Sequence, residues 1–388
     1  MTLRSLAPEA SASTNFATWA GASLLIRSPD FAPAGAVRIV IGQRGAGLYA
    51  SEFAPSTLAE TLFVVILQNF SVILQTLENR GQKMSSERRV ATVFGGTGFI
   101  GRYIVQRLAA QDYTVRVAVR NVPGALFLQT MGRTAQIVPL YAPLGAEALM
   151  ARATEGAELV VNATGLLSEN RKGDFNRVHV EGAGQVARLA ASSGARHIVH
   201  LSAIGADAAS PSLYGRSKAA GEAAVRAAFP QAVILRPSIV FGAEDSFFNR
   251  FAAMASFLPV LPIVGGDTKF QPVYVGDVAA AALAATSPQV AGATIELGGP
   301  DVRTFKQLIE YMLKVINRRR IVIDLPPGLA QVQAQFLQRL PGKLLTVDQI
   351  RMLERDNVVS LGALGLPEIG IVPIPMDLIV PAYLSSRK

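Results

Sequence analysis

The chain has 388 residues, enough for two domains, and its 50% hydrophobic against 17% charged residues can support a sizeable core, which excludes a wholly disordered protein. It contains no cysteine, which excludes disulfides, thiolate metal sites and thiol catalysis, and its three histidines lack metal-ligand spacing, so we expect no metal. The net charge of +9 favours an anionic partner, namely a phosphorylated cofactor, acidic lipid headgroups or nucleic acid, although a solvated basic surface would carry the same charge.

Residues 1–83 show no alternation of strand-like and helix-like segments, so we predict a poorly structured extension or one that is not native, with Met84 as a candidate true start. One apolar run, Leu62–Leu74, is shorter than the ~18–20 residues that a membrane-spanning helix needs, and Gln68 and Asn69 interrupt it. An interfacial or packed helix is therefore favoured there over a transmembrane span.

From Val90 onward, short β-branched runs alternate with segments of helical period. The predicted strands are Val90–Phe94, Val115–Val119, Ile137–Leu140, Leu159–Asn162, Ile198–Ser202 and Val233–Leu235. Helices are predicted between several of them, for instance over Arg102–Gln111 and Val180–Ser193. Near-continuous apolar strands in such an alternation are typical of a parallel sheet that is buried on both faces. The sequence therefore predicts an α/β fold, a Rossmann-type doubly wound parallel sheet, over residues 84–242.

The junction between the first strand and the first helix is rich in glycine. Its seven residues are Gly95, Gly96, Thr97, Gly98, Phe99, Ile100 and Gly101. Glycines at the first, fourth and seventh positions permit a tight turn, close approach of the backbone to a pyrophosphate and close helix–strand packing, and the helix N-terminus supplies N–H groups for the phosphate. Because the segment follows a strand and opens a helix, we predict that these seven residues bind a nucleotide.

The end of the second strand indicates which nucleotide is bound. An acidic residue there would hold the ribose hydroxyls of NAD, whereas an arginine accommodates the extra phosphate of NADP. The strand ends in Arg120 and Asn121, and Arg102 could add a second cation. A guanidinium suits a phosphate dianion, so NADP(H) is favoured over NAD(H); the alternative is that Arg120 is merely a solvated charge at a strand end.

Tyr214 and Lys218 form a YxxxK pattern, which on a helix places both side chains on one face, one turn apart. A nearby ammonium stabilises a phenolate, so the tyrosine could act as acid and base at a carbonyl or carbinol. Ser202 ends the fifth predicted strand, twelve residues upstream of Tyr214. Together with the upstream glycine segment, this set resembles the extended and atypical branches of the short-chain dehydrogenase/reductase (SDR) family.

The SDR resemblance implies roles for these and further residues. Ser202 would orient the substrate oxygen, and Lys218 would also grip the nicotinamide ribose, so Tyr214 and Lys218 are expected both as catalytic residues, if the protein is active, and as cofactor-binding residues. The segment of Asn162, Ala163 and Thr164 would pass over the adenosine ribose. Pro237, at the end of a later strand, would line the nicotinamide end.

His179 departs from the pattern of the family, because related reductases usually have an asparagine there, which helps to shape a water for proton relay. This difference counts against turnover. The histidine could relay protons itself, but a structural hydrogen bond is the favoured interpretation.

Residues 243–388 are predicted to form a smaller mixed domain over the strand ends, parts of which could complete the sheet. Helical patterns cover Thr304–Ile316 and Leu329–Arg339. The basic run Arg318–Arg320 is favoured as a solvated helix end, with docking on acidic protein or lipid as the alternative. The apolar tail Ile369–Tyr383 contains three prolines, which argues against a spanning helix and favours an extended strap or a partner contact.

Three segments resemble one SDR branch in particular, the NAD(P)-binding accessory subunits of respiratory complex I (NADH:ubiquinone oxidoreductase). They are Arg236–Phe251, Gln271–Val278 and Leu345–Val358. The resemblance covers about Val90 to Val359. It implies a protein that holds NADPH, associates with other subunits of complex I and lies peripherally at the inner membrane, on the cytoplasmic side in a bacterium or on the matrix side in a mitochondrion.

Two classes of function remain open. One is a nucleotide-holding accessory or assembly subunit with little or no turnover, and the other is a free NADP(H)-dependent reductase or epimerase that acts on a carbonyl or a sugar nucleotide. The Phe-rich segment Phe247–Phe251 favours the subunit, because an enzyme for a sugar nucleotide needs several polar groups that converge on its pocket. We expect no nucleic-acid partner, since no recognition motif accompanies the positive charge.

Overall fold

The structure, a computed structural model, describes residues 89–326 and 347–385 in full. Two of the predicted helices, Leu62–Leu74 and Leu329–Arg339, lie outside the described residues. From the N-terminal part of the chain, the structure describes the backbone of three strands: β1 (Ala22–Ile26), β2 (Val37–Ile41) and β3 (Tyr49–Ala50).

The chain divides into two compact units, Met1–Glu87 and Arg88–Lys388. In the first unit, β1, β2 and β3 form an antiparallel sheet in that order. These strands were not predicted from the sequence. Strand β2 reads Val-Arg-Ile-Val-Ile, and such a β-branched composition favours a strand.

The second unit contains the remaining described elements. Its strands are β4 (Val90–Phe94), β5 (Thr114–Val119), β6 (Ile137–Tyr141), β7 (Leu159–Asn162), β8 (His197–Leu201), β9 (Val233–Pro237), β10 (Val240–Phe241), β11 (Val260–Ile263), β12 (Lys269–Phe270), β13 (Val273–Tyr274), β14 (Thr294–Leu297), β15 (Arg303–Thr304) and β16 (Ile321–Asp324). Its α-helices are α1 (Phe99–Ala110), α2 (Glu147–Thr154), α3 (Ala183–Ser192), α4 (Leu213–Ala228), α5 (Phe248–Phe257), α6 (Val275–Ala284), α7 (Phe305–Val315), α8 (Val347–Met352) and α9 (Met376–Leu384). A π-helical turn (Asn176–Gly182) precedes α3, and three 3-10 helices are Pro123–Met131, Pro288–Val290 and Pro367–Ile369.

Seven parallel strands form the central sheet in the order β14–β9–β8–β7–β4–β5–β6. All six predicted strands are confirmed, and their ends differ from the prediction by at most two residues. Both faces of the sheet carry a buried apolar cluster, as in β7, where all four residues are buried. The fold is therefore the predicted Rossmann-type α/β fold.

The strand order reverses between β4 and β7, since β5 and β6 follow β4 on one side whereas β7, β8 and β9 extend the sheet on the other. Ligands of such sheets bind outside the carboxyl ends of the strands at this reversal. Here the two strand ends are joined by a hydrogen bond from Ala163 N to Phe94 O of 2.9 Å. The described geometry thus places the glycine segment and the segment after β7 side by side.

Strand β14 and helix α6 lie beyond residue 243 in the chain, yet β14 belongs to the central sheet and α6 is one of the helices packed on it. Strand β14 pairs with β9 as the edge of the sheet, and α6 packs against α1 over a shared apolar cluster. The second part of the chain therefore completes the sheet that the first part begins.

A second apolar core lies among helices α5, α7 and α9 and three two-stranded sheets, β10–β13, β11–β16 and β12–β15. Helix α7 confirms the predicted helix Thr304–Ile316 and begins with a capping box between Thr304 and Gln307. Phe248 is fully buried in this core, and the Phe247 and Phe251 rings pack against Phe305. The Phe-rich segment is therefore core packing, and it does not discriminate between a subunit and an enzyme as the sequence analysis assumed.

The apolar tail differs from the predicted extended strap, because Met376–Leu384 forms helix α9 with Pro381 inside it. Met376, Val380 and Leu384 are fully buried at a spacing of four residues. This burial offsets the backbone hydrogen bond that a proline within a helix removes. Of the helices that the structure describes, none combines the length and the apolar composition that crossing a membrane requires.

Candidate functional site

The glycine segment forms the turn between β4 and α1, and three of its glycines are required by the packing of the turn itself. Gly95 has φ of +77°, a conformation that favours glycine, and a Cβ there would lie 2.6 Å from Ala163 O. A Cβ at Gly101 would overlap Gly95 O, and one at Gly96 would lie 2.6 Å from the side chain of Val117. These contacts bring the helix and the neighbouring loop close to the strand end.

Gly98 differs from the other glycines because its position faces open space. It is exposed, its φ is −69°, and a Cβ there would contact only Gly95 O, at 3.2 Å. As the N-cap of α1 it has no side chain to accept from the first N–H groups of the helix. An open glycine at an uncapped helix N-terminus fits the phosphates of a nucleotide.

The three other residues of the segment are half-buried: Thr97, Phe99 and Ile100. The Phe99 ring packs edge-on against Tyr103, with 6.1 Å between ring centroids, and borders Gly242, where a Cβ would lie 3.2 Å from it. The glycine segment therefore adjoins the chain that follows β10.

Arg120 follows β5 and is exposed, and among the described residues its guanidinium has no ion-pair or hydrogen-bond partner. Arg102, the second candidate cation, is engaged by the turn. Its Nη2 donates to Thr97 O at 3.2 Å, its Nε donates to Gly98 O at 3.3 Å, and its Nη1 lies 3.4 Å from a carboxylate oxygen of Glu244. Arg102 therefore stabilises the glycine segment, whereas Arg120 is available to a phosphate.

Asn162 is buried at the end of β7 and all of its side-chain polar atoms are engaged. Its Oδ1 accepts from Thr164 N at 3.1 Å and from Thr164 Oγ1 at 2.6 Å. Its Nδ2 therefore faces His200 Nδ1, at 3.2 Å, and donates to it. Asn162 thus stabilises the turn through Ala163 and Thr164 from within the protein.

His179 lies in the π-helical turn and makes two hydrogen bonds within the protein. Its Nε2 accepts from Leu166 N at 2.9 Å, so its Nδ1 carries the proton and donates to Ser217 Oγ at 2.8 Å. Burial, together with the charge of Lys218, lowers the pKa of His179 to about 3, so the ring is neutral. These contacts support the structural interpretation of His179 over a proton relay.

Tyr214 and Lys218 lie buried on one face of α4, as the YxxxK spacing predicts. Burial raises the pKa of Tyr214 to about 12, and among the described residues its hydroxyl has no hydrogen-bond partner. Lys218 Nζ donates to Leu201 O at 2.9 Å. Burial lowers the pKa of Lys218 to about 8, against the opposing charge of Glu222. The Lys218 ammonium is therefore held by a backbone carbonyl of β8, and the apolar surroundings of Tyr214 disfavour its phenolate form.

Ser202 is buried, and its hydroxyl donates to Glu222 Oε1. Arg236 binds the same carboxylate in bidentate fashion, with Nε 2.9 Å from Oε1 and Nη2 2.7 Å from Oε2, and lies 3.6 Å from Glu296. The serine hydroxyl is thus part of an ionic network between α4, β9 and β14. In this arrangement it is not free to orient a substrate oxygen.

This network was not predicted from the sequence, although part of its signal is present there. Glu222 lies four residues after Lys218, which puts it on the same face of α4. Its partner Arg236 lies in the next strand, directly before Pro237, and only the fold shows that the two meet.

A second missed feature is the segment 347–359, which lies against the carboxyl end of the sheet. Asp348 of α8 accepts from Leu213 N at 2.6 Å and from Tyr214 N at 3.0 Å, in the first turn of α4. Asn357 hydrogen-bonds the loops that follow β8 and β9. The segment therefore covers the N-terminus of the helix that carries Tyr214 and Lys218.

The end of β8 and the loop after β7 both lie close to Lys218. A Cβ at Gly165 would lie 3.6 Å from Lys218 Nζ, so the loop after Thr164 passes close to the lysine. Pro237 O accepts from Ile204 N at 3.0 Å, which joins the ends of β8 and β9. In the described ranges, no three His, Asp or Glu side chains are grouped so as to hold a metal ion.

Comparison with known proteins places the chain in a family. The NAD dependent epimerase/dehydratase family matches residues 91–298. The chain is 36% identical to "NADH dehydrogenase [ubiquinone] 1 alpha subcomplex subunit 9, mitochondrial" of Arabidopsis thaliana. The 308 aligned residues cover 76% of this chain and 76% of that one. It is 33% identical to the Mus musculus protein of the same name, over 77% of this chain and 80% of that one. It is also 34% identical to "Ceramide reductase" of Caulobacter vibrioides, over 62% of this chain and 75% of that one.

Two solved structures show the same fold. The dTDP-glucose 4,6-dehydratase DesIV of Streptomyces venezuelae has a TM-score of 0.59 and 18% identity, over 76% of this chain and 96% of that one. The NADPH-dependent quinone oxidoreductase QOR2 of Escherichia coli also has a TM-score of 0.59, with 21% identity, over 76% of this chain and 98% of that one. At such identities the likeness shows the fold alone.

The chain therefore belongs to the NAD dependent epimerase/dehydratase family, an extended SDR family. Its curated relatives include proteins named as subunits of complex I. The SDR resemblance and the resemblance to the complex I branch are both confirmed.

Proposed function

We propose that this member of the epimerase/dehydratase family is an NADP(H)-binding accessory or assembly subunit of respiratory complex I, which holds the nucleotide structurally with little or no turnover. The observation that carries the proposal is the hydrogen bond from Ser202 to Glu222, which occupies the hydroxyl needed for chemistry while Gly98 leaves the phosphate position open. The subunit assignment is supported by relatives that carry complex I subunit names over 76–80% of their length.

The nucleotide would lie along Gly95–Gly101, with its pyrophosphate at the N-terminus of α1 and the extra phosphate of NADP at Arg120. The loop Ala163–Thr164 would border the adenosine ribose, and Lys218 would bind the nicotinamide ribose. The open Gly98 and the unpaired Arg120 support this placement. A bound nicotinamide nucleotide supplies hydride chemistry in enzymes, but here we assign it a structural role.

Low turnover is supported by the state of the remaining side chains. The pKa of Tyr214 is raised to about 12, and Lys218 Nζ is hydrogen-bonded to Leu201 O. A general acid and base works best when its pKa lies near the working pH. Tyr214 is therefore poorly suited to proton transfer in this arrangement.

The domain division and the location are parts of the same proposal. Residues 84–242 would be the NAD(P)-binding part, 243–388 the smaller part and 1–83 an extension. Contacts to other complex I subunits would hold the protein peripherally at the inner membrane, on the cytoplasmic side in a bacterium or the matrix side in a mitochondrion. The net charge of +9 supports electrostatic contacts of this kind.

A second candidate is a free NADP(H)-dependent reductase or epimerase acting on a carbonyl or sugar nucleotide. The observation in its favour is that Ser202, Tyr214 and Lys218 are all present around one strand end, and one relative is named a ceramide reductase. A rearrangement that freed Ser202 from Glu222 would make this chemistry accessible.

The first experiment separates the two candidates by the size of the native particle. Protein extracted gently from its own membranes should migrate within a complex of many subunits that oxidises NADH. Migration as a single chain in every mild detergent would overturn the subunit proposal.

The second experiment measures NADPH oxidation by the purified protein with quinones, aldehydes and sugar nucleotides. We expect no turnover that differs between the unmodified protein and Tyr214→Phe, while both bind NADPH equally. Turnover at about 1 per second or faster that Tyr214→Phe abolishes would establish the enzyme instead.

A further inference from the structure

The two-stranded sheet of β11 and β16 has an apolar outer face. Successive residues of a strand point to opposite faces, and Leu261 and Val322 point into the second apolar core. The opposite face of β16 is exposed, with Ile321 at 64% and Ile323 at 44% of full exposure. Because the strands pair in register, the outer face consists of Val260, Pro262, Ile321 and Ile323.

The end of helix α5 extends this face. Phe257, its last residue, is 87% exposed, and the following Leu258 is 40% exposed. Arg320 Nε donates to Ala255 O at 2.8 Å, which holds the start of β16 against the last turn of α5. The last turn of α5 and the start of β16 are thus neighbours, and each carries exposed apolar side chains.

Unpaired cations border the same face. Asn317, two residues after the end of helix α7, has φ of +52°, and Arg318 N donates to Leu313 O, so the chain turns sharply into β16. Arg318 and Arg319 are exposed, and among the described residues neither guanidinium has an acidic partner. Exposed Lys314, one turn back on α7, adds a third positive charge.

Two exposed carboxylates lie on the same elements. Glu310 lies one turn before Lys314 on α7, and Asp324, at the far end of β16, accepts from Gly266 N at 2.9 Å. Among the described residues, no ion pair joins either carboxylate to Arg318 or Arg319. The end of the face that carries Phe257 is therefore both apolar and positively charged.

We infer that this face docks on an anionic lipid bilayer. We call it the ribbon patch and define it as Phe257, Leu258, Val260, Pro262, Arg318, Arg319, Ile321 and Ile323. Surfaces that lie in the membrane interface bury apolar side chains to about 5–10 Å at the boundary of headgroups and acyl chains, while flanking arginines meet lipid phosphates. The ribbon patch offers both features, and its charge is complementary to such a surface. The inference goes beyond the proposed function, because it assigns lipid contact to this chain itself and needs no other subunit.

The test uses the purified full chain with vesicles of phosphatidylcholine, with and without phosphatidylglycerol, in a flotation assay. We expect binding to the anionic vesicles only, weakening as salt is added. Arg318→Gln with Arg319→Gln should weaken binding roughly 30-fold, since each basic residue near such a surface contributes a factor of about five. Phe257→Ser with Ile321→Ser should weaken it by a similar order.

The matched control removes the same two charges elsewhere, with Arg152→Gln and Arg196→Gln, both exposed residues of the nucleotide-binding part. This control should bind vesicles almost as well as the unmodified chain. NADPH binding by every variant verifies that it is folded.

Three results would overturn the inference. They are no binding to anionic vesicles, equal losses in the control and the arginine variant, or unchanged binding by both ribbon-patch variants. The last result would place the lipid contact in another segment, such as Leu62–Leu74. Because the assay contains no other subunit, its failure is separate from failure of the native-particle experiment.

Discussion

The two ends of the candidate site differ in how their polar groups are used. At the nucleotide end, Gly98 faces open space and Arg120 has no partner among the described residues. At the reaction end, the Ser202 hydroxyl and the Lys218 ammonium are buried and hydrogen-bonded within the protein. Binding needs donors that are free to meet a ligand, whereas catalysis also needs a free hydroxyl and a tyrosine with an accessible pKa. Under the proposed function, this contrast would let the fold bind a nucleotide while its reactive side chains form part of its own structure.

The largest effect is expected at the nucleotide end, from Gly98→Val. A side chain there would fill the space of the pyrophosphate, so NADPH affinity measured by calorimetry should fall at least about 100-fold, or 2.7 kcal/mol. The free energy of unfolding without nucleotide should change by only about 1 kcal/mol, because a Cβ at this position contacts just one atom.

The matched control is Gly101→Val, whose side chain would overlap Gly95 O. It should unfold the protein even without nucleotide. If Gly98→Val were as destabilising as Gly101→Val, the open space at Gly98 would not be a binding surface.

The next effect concerns the network at the reaction end. Glu222→Ala removes the common hydrogen-bond partner of Arg236 and Ser202, while Arg236 keeps its contact with Glu296, so the free energy of unfolding should fall by about 2–3 kcal/mol in urea titrations. The control Glu158→Ala removes a half-exposed pair with Arg89 and should cost about 1 kcal/mol or less. Equal costs would mean that Glu222 does not hold Ser202 firmly, which would favour the enzyme.

Arg120→Asp sharpens the comparison by testing which nucleotide the open end selects. Loss of the guanidinium and repulsion by the new carboxylate should remove about 10- to 100-fold of the affinity for NADPH, while NADH affinity changes little or rises. Competition binding with both nucleotides measures the ratio. If the unmodified protein bound NADH and NADPH equally, the assignment of Arg120 would be wrong.

The smallest effect is a pH dependence at His179. Its pKa is lowered to about 3 in the folded state from an ordinary 6.5, so the unfolded chain binds the extra proton first as pH falls below 6.5. The folded protein should therefore lose about 2 kcal/mol between pH 6.5 and pH 5 through this residue.

His179→Gln keeps an acceptor for Leu166 N and a donor for Ser217 but does not titrate. The difference in unfolding free energy between the unmodified protein and this variant should thus shrink by that amount over the same interval. A constant difference would show that His179 takes up a proton in the folded protein as readily as in the unfolded chain, which would leave it able to take part in proton relay.

The sequence by itself determined six of the seven strands of the central sheet and the glycine-rich turn that follows the first of them. Six strands were predictable because each is a short β-branched run that can be recognised from neighbouring residues alone. The turn Gly95–Gly101 was predictable because its backbone conformation and close packing require glycine. The YxxxK spacing likewise fixed that Tyr214 and Lys218 share a face of α4.

The reaction end was decided only by the tertiary structure. The partner of the Ser202 hydroxyl is Glu222, and Asp348 reaches the first turn of α4 from a point 134 residues away from Tyr214. The tail Met376–Leu384 forms a helix because its apolar side chains pack into the second apolar core. The free energy gained by this burial outweighs the cost of Pro381 within the helix. Residue types and spacings show which groups are present, but the direction of a hydroxyl or the cover over a helix end depends on contacts between segments that are distant in the chain.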